Sequence, residues 1–150
     1  MTFPARQRAS ILLLTLLALA LSLAACGGSG PASGALYPIE PTAAQAEAGR
    51  VLYEANCIAC HASPESGGER TLGAPAHDAT GHTWHHADRL LAGWVLDGLP
   101  VQGSAMPAFR ELLTEQEVVD ILAYIKSAWP ADVRAWQTEG SALYEEQLAE

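Results

Sequence analysis

Apolar residues along the chain fall into one dense block, one sparse stretch and several periodic segments. From Ala9 to Cys26, 15 of 18 residues are apolar, interrupted only by Ser10, Thr15 and Ser22. Gly27 to Pro41, GGSGPASGALYPIEP, is rich in Gly, Ser and Pro and can bury little surface. Helical patterning begins after it. Thr42-Ala43-Ala44-Gln45 fits a capping box, and the helix it opens leads through Gly49 and Tyr53. Leu90, Leu91, Trp94, Val95 and Leu96 predict a short helix over Asp88 to Gly98, stopped by the glycine. A second capping box, Thr114-Glu115-Gln116-Glu117, opens a segment to Ala128 with Val118, Ile121, Leu122 and Ile125 at helical spacing, and Pro130 ends it. Beyond Pro130, the residues Val133, Trp136, Leu143, Tyr144 and Leu148 predict one further amphipathic helix. Its acids, Asp132, Glu139, Glu145, Glu146 and Glu150, form a solvated face.

The dense block reads as a leader rather than as fold. Met1 to Ser10 carries Arg6 and Arg8 and no acid, an apolar run from Ile11 to Leu21 follows, and small residues come next. That is the pattern of an export signal; the competing reading is an uncleaved anchor, since the run approaches the ~20 residues of a spanning helix. The segment Leu23-Ala24-Ala25-Cys26 resembles a bacterial lipobox, in which the cysteine is lipidated and becomes the mature first residue. The chain therefore divides into a lipoprotein-type signal peptide (1–25), a flexible tether (26–41), a helical domain (42–130) and a C-terminal extension (131–150). The competing reading of the tether is an ordered arm packed through Leu36, Tyr37 and Ile39. The expected location is extracytoplasmic, with the lipid anchor in a bacterial membrane.

Charge narrows the partners. The chain has 8 Lys and Arg against 17 Asp and Glu, a net −9; without the leader's two arginines the remainder carries −11. Nucleic acid needs a basic footprint to release counterions from phosphates, so it is excluded. An acidic surface instead favours a basic docking face on a protein partner.

The chemistry is concentrated in Cys57-Ile58-Ala59-Cys60-His61. A CxxCH segment has a specific covalent meaning, c-type haem attachment: two thiols on one helical turn add to the two haem vinyl groups, and the adjacent imidazole projects at the iron. Competing readings are a thioredoxin-like dithiol, a structural disulfide and half of a zinc site. The first wants βαβ surroundings and the last wants four ligands.

From about Thr42 to Trp129 the sequence resembles the class I cytochromes c, mono-haem electron carriers, here in a bacterial lipoprotein form. The resemblance lies in the order: helix, CxxCH, loop, helix, loop with methionine, final helix. It implies an all-α domain wrapped around one covalently attached haem c, with Gly49 and Tyr53 at the crossing of the first and last family helices. It also implies that Met106, in Ser104-Ala105-Met106-Pro107, is the second axial ligand opposite His61. A His/Met pair raises the iron's potential. Gly73-Ala74-Pro75 matches in kind and place the loop whose proline carbonyl holds the ligand histidine, which makes Pro75 the expected partner of His61. Trp84 and Trp94 carry indole donors able to reach a haem propionate.

Four further histidines, His77, His82, His85 and His86, crowd into ten residues, a density the resemblance does not account for. They read as a solvated loop near the haem, as a source of a distal ligand in place of Met106, or as a second metal site. If the stretch were helical, His82 and His86 would share a face, but Gly81 favours a loop. The expected function is one-electron transfer between extracytoplasmic redox partners, a donor and an acceptor, without catalysis, by a domain that is monomeric. The alternatives are a haem-based sensor or peroxidase-like protein with a displaceable Met106, and a metal-handling module using His82, His85 and His86.

Overall fold

A computed structural model describes residues 36–150. The export signal, the lipidation candidate Cys26 and the tether up to residue 35 lie outside the described residues. The described chain folds into helices α1 (Ala43–Asn56), α2 (Ile58–His61), α3 (Asp88–Asp97), α4 (Glu115–Ser127) and α5 (Ala131–Leu148), with a single 3-10 turn at Thr83–His85. Among the described residues the only β pairing is an isolated bridge between Ser63 and Gly67. No helix among them is long and apolar enough to cross a membrane.

Both capping boxes form. The Thr42 hydroxyl accepts from the Gln45 amide while the Gln45 side chain accepts from Thr42 N, and Thr114 and Glu117 repeat the exchange. Each satisfies two backbone donors that a helix start leaves orphaned. Helices α1 and α4 make the main packing interface, and Gly49 is the residue that lets them close. A Cβ at that position would lie 1.8 Å from the Asp120 carbonyl oxygen, so the α1 backbone rests on the α4 backbone with no side chain between. Tyr53, fully buried one turn further on, meets Tyr124 of α4 edge to face at 5.5 Å. Val118, Ile121, Leu122 and Ile125 all face the core, as their spacing predicts.

Two expectations change. The tether does not extend to residue 41, because Tyr37 and Ile39 are buried against the domain while Leu36 stays at the surface. Tyr37 donates its hydroxyl to Glu115 Oε1 at 3.0 Å, and the Ile39 amide donates to Asp88 Oδ2 at 2.7 Å. Two apolar side chains and a backbone donor with a buried acceptor outweigh the local Gly/Pro composition. The C-terminal extension is a helix, as expected, but its buried face is not the apolar one. Gln137 and Ser141 are buried, whereas Trp136, Leu143 and Leu148 are more than half exposed. The reason lies beneath α5, where Asp88 and Lys126 form a buried ion pair that needs polar neighbours. Gln137 Nε2 donates to Asp88 Oδ1 at 2.8 Å and lies 3.0 Å from the His86 carbonyl, and Ser141 Oγ accepts from the Asp88 amide at 2.9 Å.

Candidate haem site

The CxxCH segment sits where α1 breaks into α2. Cys57 ends the first helix and starts the second, and its carbonyl accepts from both the Cys60 and His61 amides at 3.1 and 3.0 Å. The two cysteines and the histidine are thereby held on one turn. Both thiols are free and half-buried, so the structural-disulfide reading does not describe this geometry. Burial, with the nearby Cys60, pushes the Cys57 thiol up to about 11. A closed zinc site wants four ligands, and no other His, Cys, Asp or Glu side chain among the described residues joins the two thiols and His61 in a group arranged to hold a metal ion.

His61 is buried, and its Nδ1 lies 3.0 Å from the Pro75 carbonyl oxygen. That places the proton on Nδ1 and leaves the Nε2 lone pair free for a metal. Burial lowers the affinity of His61 for a second proton; the Pro75 bond opposes the shift. The turn after His61 is fixed by Tyr53, whose hydroxyl donates to the Ala62 carbonyl at 2.7 Å. Ala62 itself holds φ 60° and ψ −172°, a region that favours glycine, and the hydrogen bond from α1 helps to retain it.

The loop around Met106 is anchored at both ends. A turn closes it at one side, Ser104 N donating to Val101 O at 3.0 Å, with Gly103 at φ 83°. At the other side the Phe109 and Arg110 amides donate to the last carbonyls of α3, Val95 and Leu96, at 3.0–3.1 Å. Arg110 adds a two-point ion pair to Asp97 at 2.6 and 2.8 Å. These contacts satisfy carbonyls that a helix end leaves open and place a cation at its negative pole. Met106 is half-buried, and its backbone runs beside Gly98, which ends α3 at φ 85°.

A cleft of about 760 Å³ opens on the loop after the CxxCH segment, lined by Arg70, Ala74, Pro75, Thr80, His82 and Leu99 among others; Cys57, Cys60, His61 and Met106 do not line it. The half-buried apolar residues Trp94, Val95 and Phe109 and the thiol-bearing Cys57 pack on the adjoining core. Two free thiols on one turn and a histidine with one nitrogen committed and the other free fit a covalently attached haem.

The histidine-rich stretch is a loop, as Gly81 predicts, held by an Asp78 turn in which Oδ1 accepts from Thr80 N at 2.9 Å. Its members scatter. His85 lies tilted against Trp84 and meets Trp136, while His86 meets Trp94 and His82 edge on. Among the described residues no group of three or more His, Cys, Asp or Glu side chains is arranged to hold a metal ion. Trp84 donates its indole proton to the Gly81 carbonyl at 3.0 Å, a local loop contact. His77 is the surprise. It lies face to face with His61, ring centroids 4.2 Å apart and planes 20° apart. Burial and the neighbouring His61 push it down to about 3, so its ring is neutral. A ring stacked on the ligand's face cannot also sit across the iron from it. Only the crowding of histidines after the CxxCH hinted at a role for this residue, and nothing in the sequence singled out His77 from the other three.

Fold and site together define a class I c-type cytochrome domain. Residues 44–125 match the family described as cytochrome c oxidase, cbb3-type, subunit III, and the chain belongs to that family. It is also similar to a nicotinate dehydrogenase subunit of Pseudomonas putida, 30% identical over 95 residues that make up 59% of this chain. The matched stretch is 8% of that relative, so the chain spans a small fraction of its length. Membership implies covalently bound haem c, electron transfer and redox protein partners, and domains of this kind are usually extracytoplasmic.

Proposed function

We propose that the domain carries one electron at a time through a single haem c, attached at Cys57 and Cys60 and ligated by His61 and Met106, between extracytoplasmic redox proteins. The observation that carries the reading is the His61 imidazole, committed to the Pro75 carbonyl through Nδ1 with Nε2 left free beside a pair of free thiols. When bound, the haem supplies the redox chemistry, its iron gaining and losing one electron. The chain's own residues orient the ligand through Pro75 and Tyr53, exclude water with the α3 and α4 side chains, and hold the Met106 loop in place through Val101, Phe109 and Arg110. With His61 and Met106 both holding the iron, no open position would be left for a substrate, which supports a carrier rather than an enzyme. The acidic surface supports a basic docking face on its partners and an encounter weakened by salt. The names of the family and of the relative, an oxidase subunit and a dehydrogenase subunit, fit redox partners of either kind. Lipidation of Cys26 would tether the domain to a membrane through the stretch before Tyr37.

The test is to produce the protein in cells that attach c-type haem and record oxidised and reduced spectra. A sharp reduced c-type spectrum is expected, with a weak charge-transfer band from iron–sulfur ligation that disappears in Met106→Ala. Covalent haem lacking that band, or rapid carbon monoxide binding to the reduced protein at neutral pH, would favour the sensor or peroxidase-like reading. Absence of covalent haem would return Cys57 and Cys60 to dithiol or metal chemistry. Mass spectrometry of the membrane fraction reads the acyl chains on Cys26.

A further inference from the structure

We infer that His77 is a positioning residue for the ligand histidine: its ring, stacked on the face of His61, sets the plane of the His61 imidazole. The inference rests on His61 being the axial ligand. A single hydrogen bond fixes a direction but not a plane, so the contact from His61 Nδ1 to the Pro75 carbonyl leaves the ring free to rotate about that line. A flat neighbour at 4.2 Å and 20° removes that freedom. An aliphatic side chain of similar size would fill the space without presenting a flat face.

The stack can act as a reference because His77 is itself held from several elements. Its Nδ1 lies 2.8 Å from Thr83 Oγ1, and the Thr83 hydroxyl donates to the Ala76 carbonyl at 3.2 Å. With its one proton committed there, Thr83 accepts from His77, which places the imidazole proton on Nδ1. Thr83 is buried in the 3-10 turn, so this anchor is shielded from water. The His77 carbonyl accepts from the Trp129 indole at 2.7 Å, just beyond α4. Tyr53 of α1 presents its ring edge to the imidazole at 6.0 Å and 75°, and the same tyrosine fixes the Ala62 turn after His61. The reference ring therefore packs against the tyrosine that also fixes the turn after His61, and its backbone is tied just beyond the end of α4.

The orientation of an axial imidazole plane governs how the iron's half-filled orbital is directed, so the consequence is electronic as well as mechanical. The experiment compares haem-loaded wild type with His77→Ala, His77→Phe and Thr83→Val by low-temperature electron paramagnetic resonance of the oxidised protein and by redox titration. His77→Ala is expected to shift and broaden the g values, as several ring orientations become populated, and to lower the midpoint potential as water approaches His61. His77→Phe, which restores a flat ring, is expected to bring both readouts back towards wild type. Thr83→Val removes the anchor, keeps the stack and is expected to shift both in the same direction as His77→Ala by less. Variants that melt earlier but keep wild-type g values and potential would reduce His77 to packing and overturn the inference. So would a His77→Phe protein no closer to wild type than His77→Ala. If His77→Ala does not fold, unchanged g values in Thr83→Val overturn it alone. A wild-type protein without a histidine-ligated haem spectrum would instead remove His61 as ligand and the functional reading with it, so the two failures are separable.

Discussion

Lys126 Nζ lies 2.8 Å from Asp88 Oδ2 and 3.0 Å from Oδ1, with both side chains essentially inaccessible to solvent. Burial lowers the proton affinity of Lys126 and the Asp88 carboxylate opposes that shift. The pair joins α3 to α4, and its acceptor atoms also collect the Ile39 amide and the Gln137 side chain. One carboxylate therefore gathers the N-terminal arm, the wall of the haem site, the last family helix and the C-terminal extension.

Removing the cation alone should strand that carboxylate. Lys126→Met is expected to cost about 3–5 kcal/mol, because an uncompensated charge stays buried. The double variant Lys126→Met with Asp88→Asn keeps one acceptor oxygen able to take the Ile39 amide and removes the charge, so it should lose less than the single one. Urea unfolding of the isolated protein reads the order; a double variant less stable than Lys126→Met would show that the charges are not coupled.

The arm gives a second test. A chain beginning at Thr42 lacks Tyr37 and Ile39, and it should be less stable than one beginning at Leu36 by about 2 kcal/mol or more, from lost apolar burial and a lost acceptor contact at Asp88. Equal thermal midpoints would mean that residues 36–41 act only as a tether.

At the crossing of α1 and α4, Gly49→Ala places a methyl group where the Asp120 carbonyl already lies. The helices must separate, at about 1–3 kcal/mol or more. The same substitution at Gly140, where nothing lies within 4 Å of the added carbon, should be neutral or stabilising through helix propensity. Thermal unfolding of the two variants separates close packing from a general intolerance of glycine replacement.

The pH profile follows from depressed carboxylates. Hydrogen bonds from the Thr114 backbone and side chain hold Glu117 below its ordinary 4.5, and Arg110 holds Asp97 below 3.8. For an acid lowered by folding, the contribution is complete above the unfolded value and is lost as pH falls through the folded one. Stability should therefore decline from about pH 4.5 downwards. Glu117→Gln, which preserves the capping box without a titrating group, should flatten that acid limb in urea midpoints measured from pH 6 to 3. An unchanged slope would place the titration elsewhere.

What could be read from the chain alone was whatever depends on near neighbours. Both capping boxes, the limits of α3 at Gly98 and of α4 before Pro130, and the loop around Gly81 follow from residues a few positions apart. Arm and extension were harder. Tyr37 and Ile39 sit in a Gly/Pro-rich stretch that composition marks as a tether, and α5 carries an apolar pattern that points away from its buried, polar face. In both places the deciding partner is Asp88, a charged residue at the start of a helix that gives no sign in sequence of being buried.

The sequence by itself determined which residues are candidates for the covalent chemistry, because CxxCH puts two thiols and an imidazole within five positions. It also determined the helix starts and the identity of the single methionine after the leader. Only the tertiary structure decided that Pro75 faces His61, that His77 and not His82, His85 or His86 stacks upon His61, and that Lys126 closes on Asp88 across 38 positions. Polar side chains can be satisfied by water or by many partners, and sequence spacing does not choose among them. The choice is made when the helices pack, and each buried polar group must then find a partner from the atoms that happen to face it.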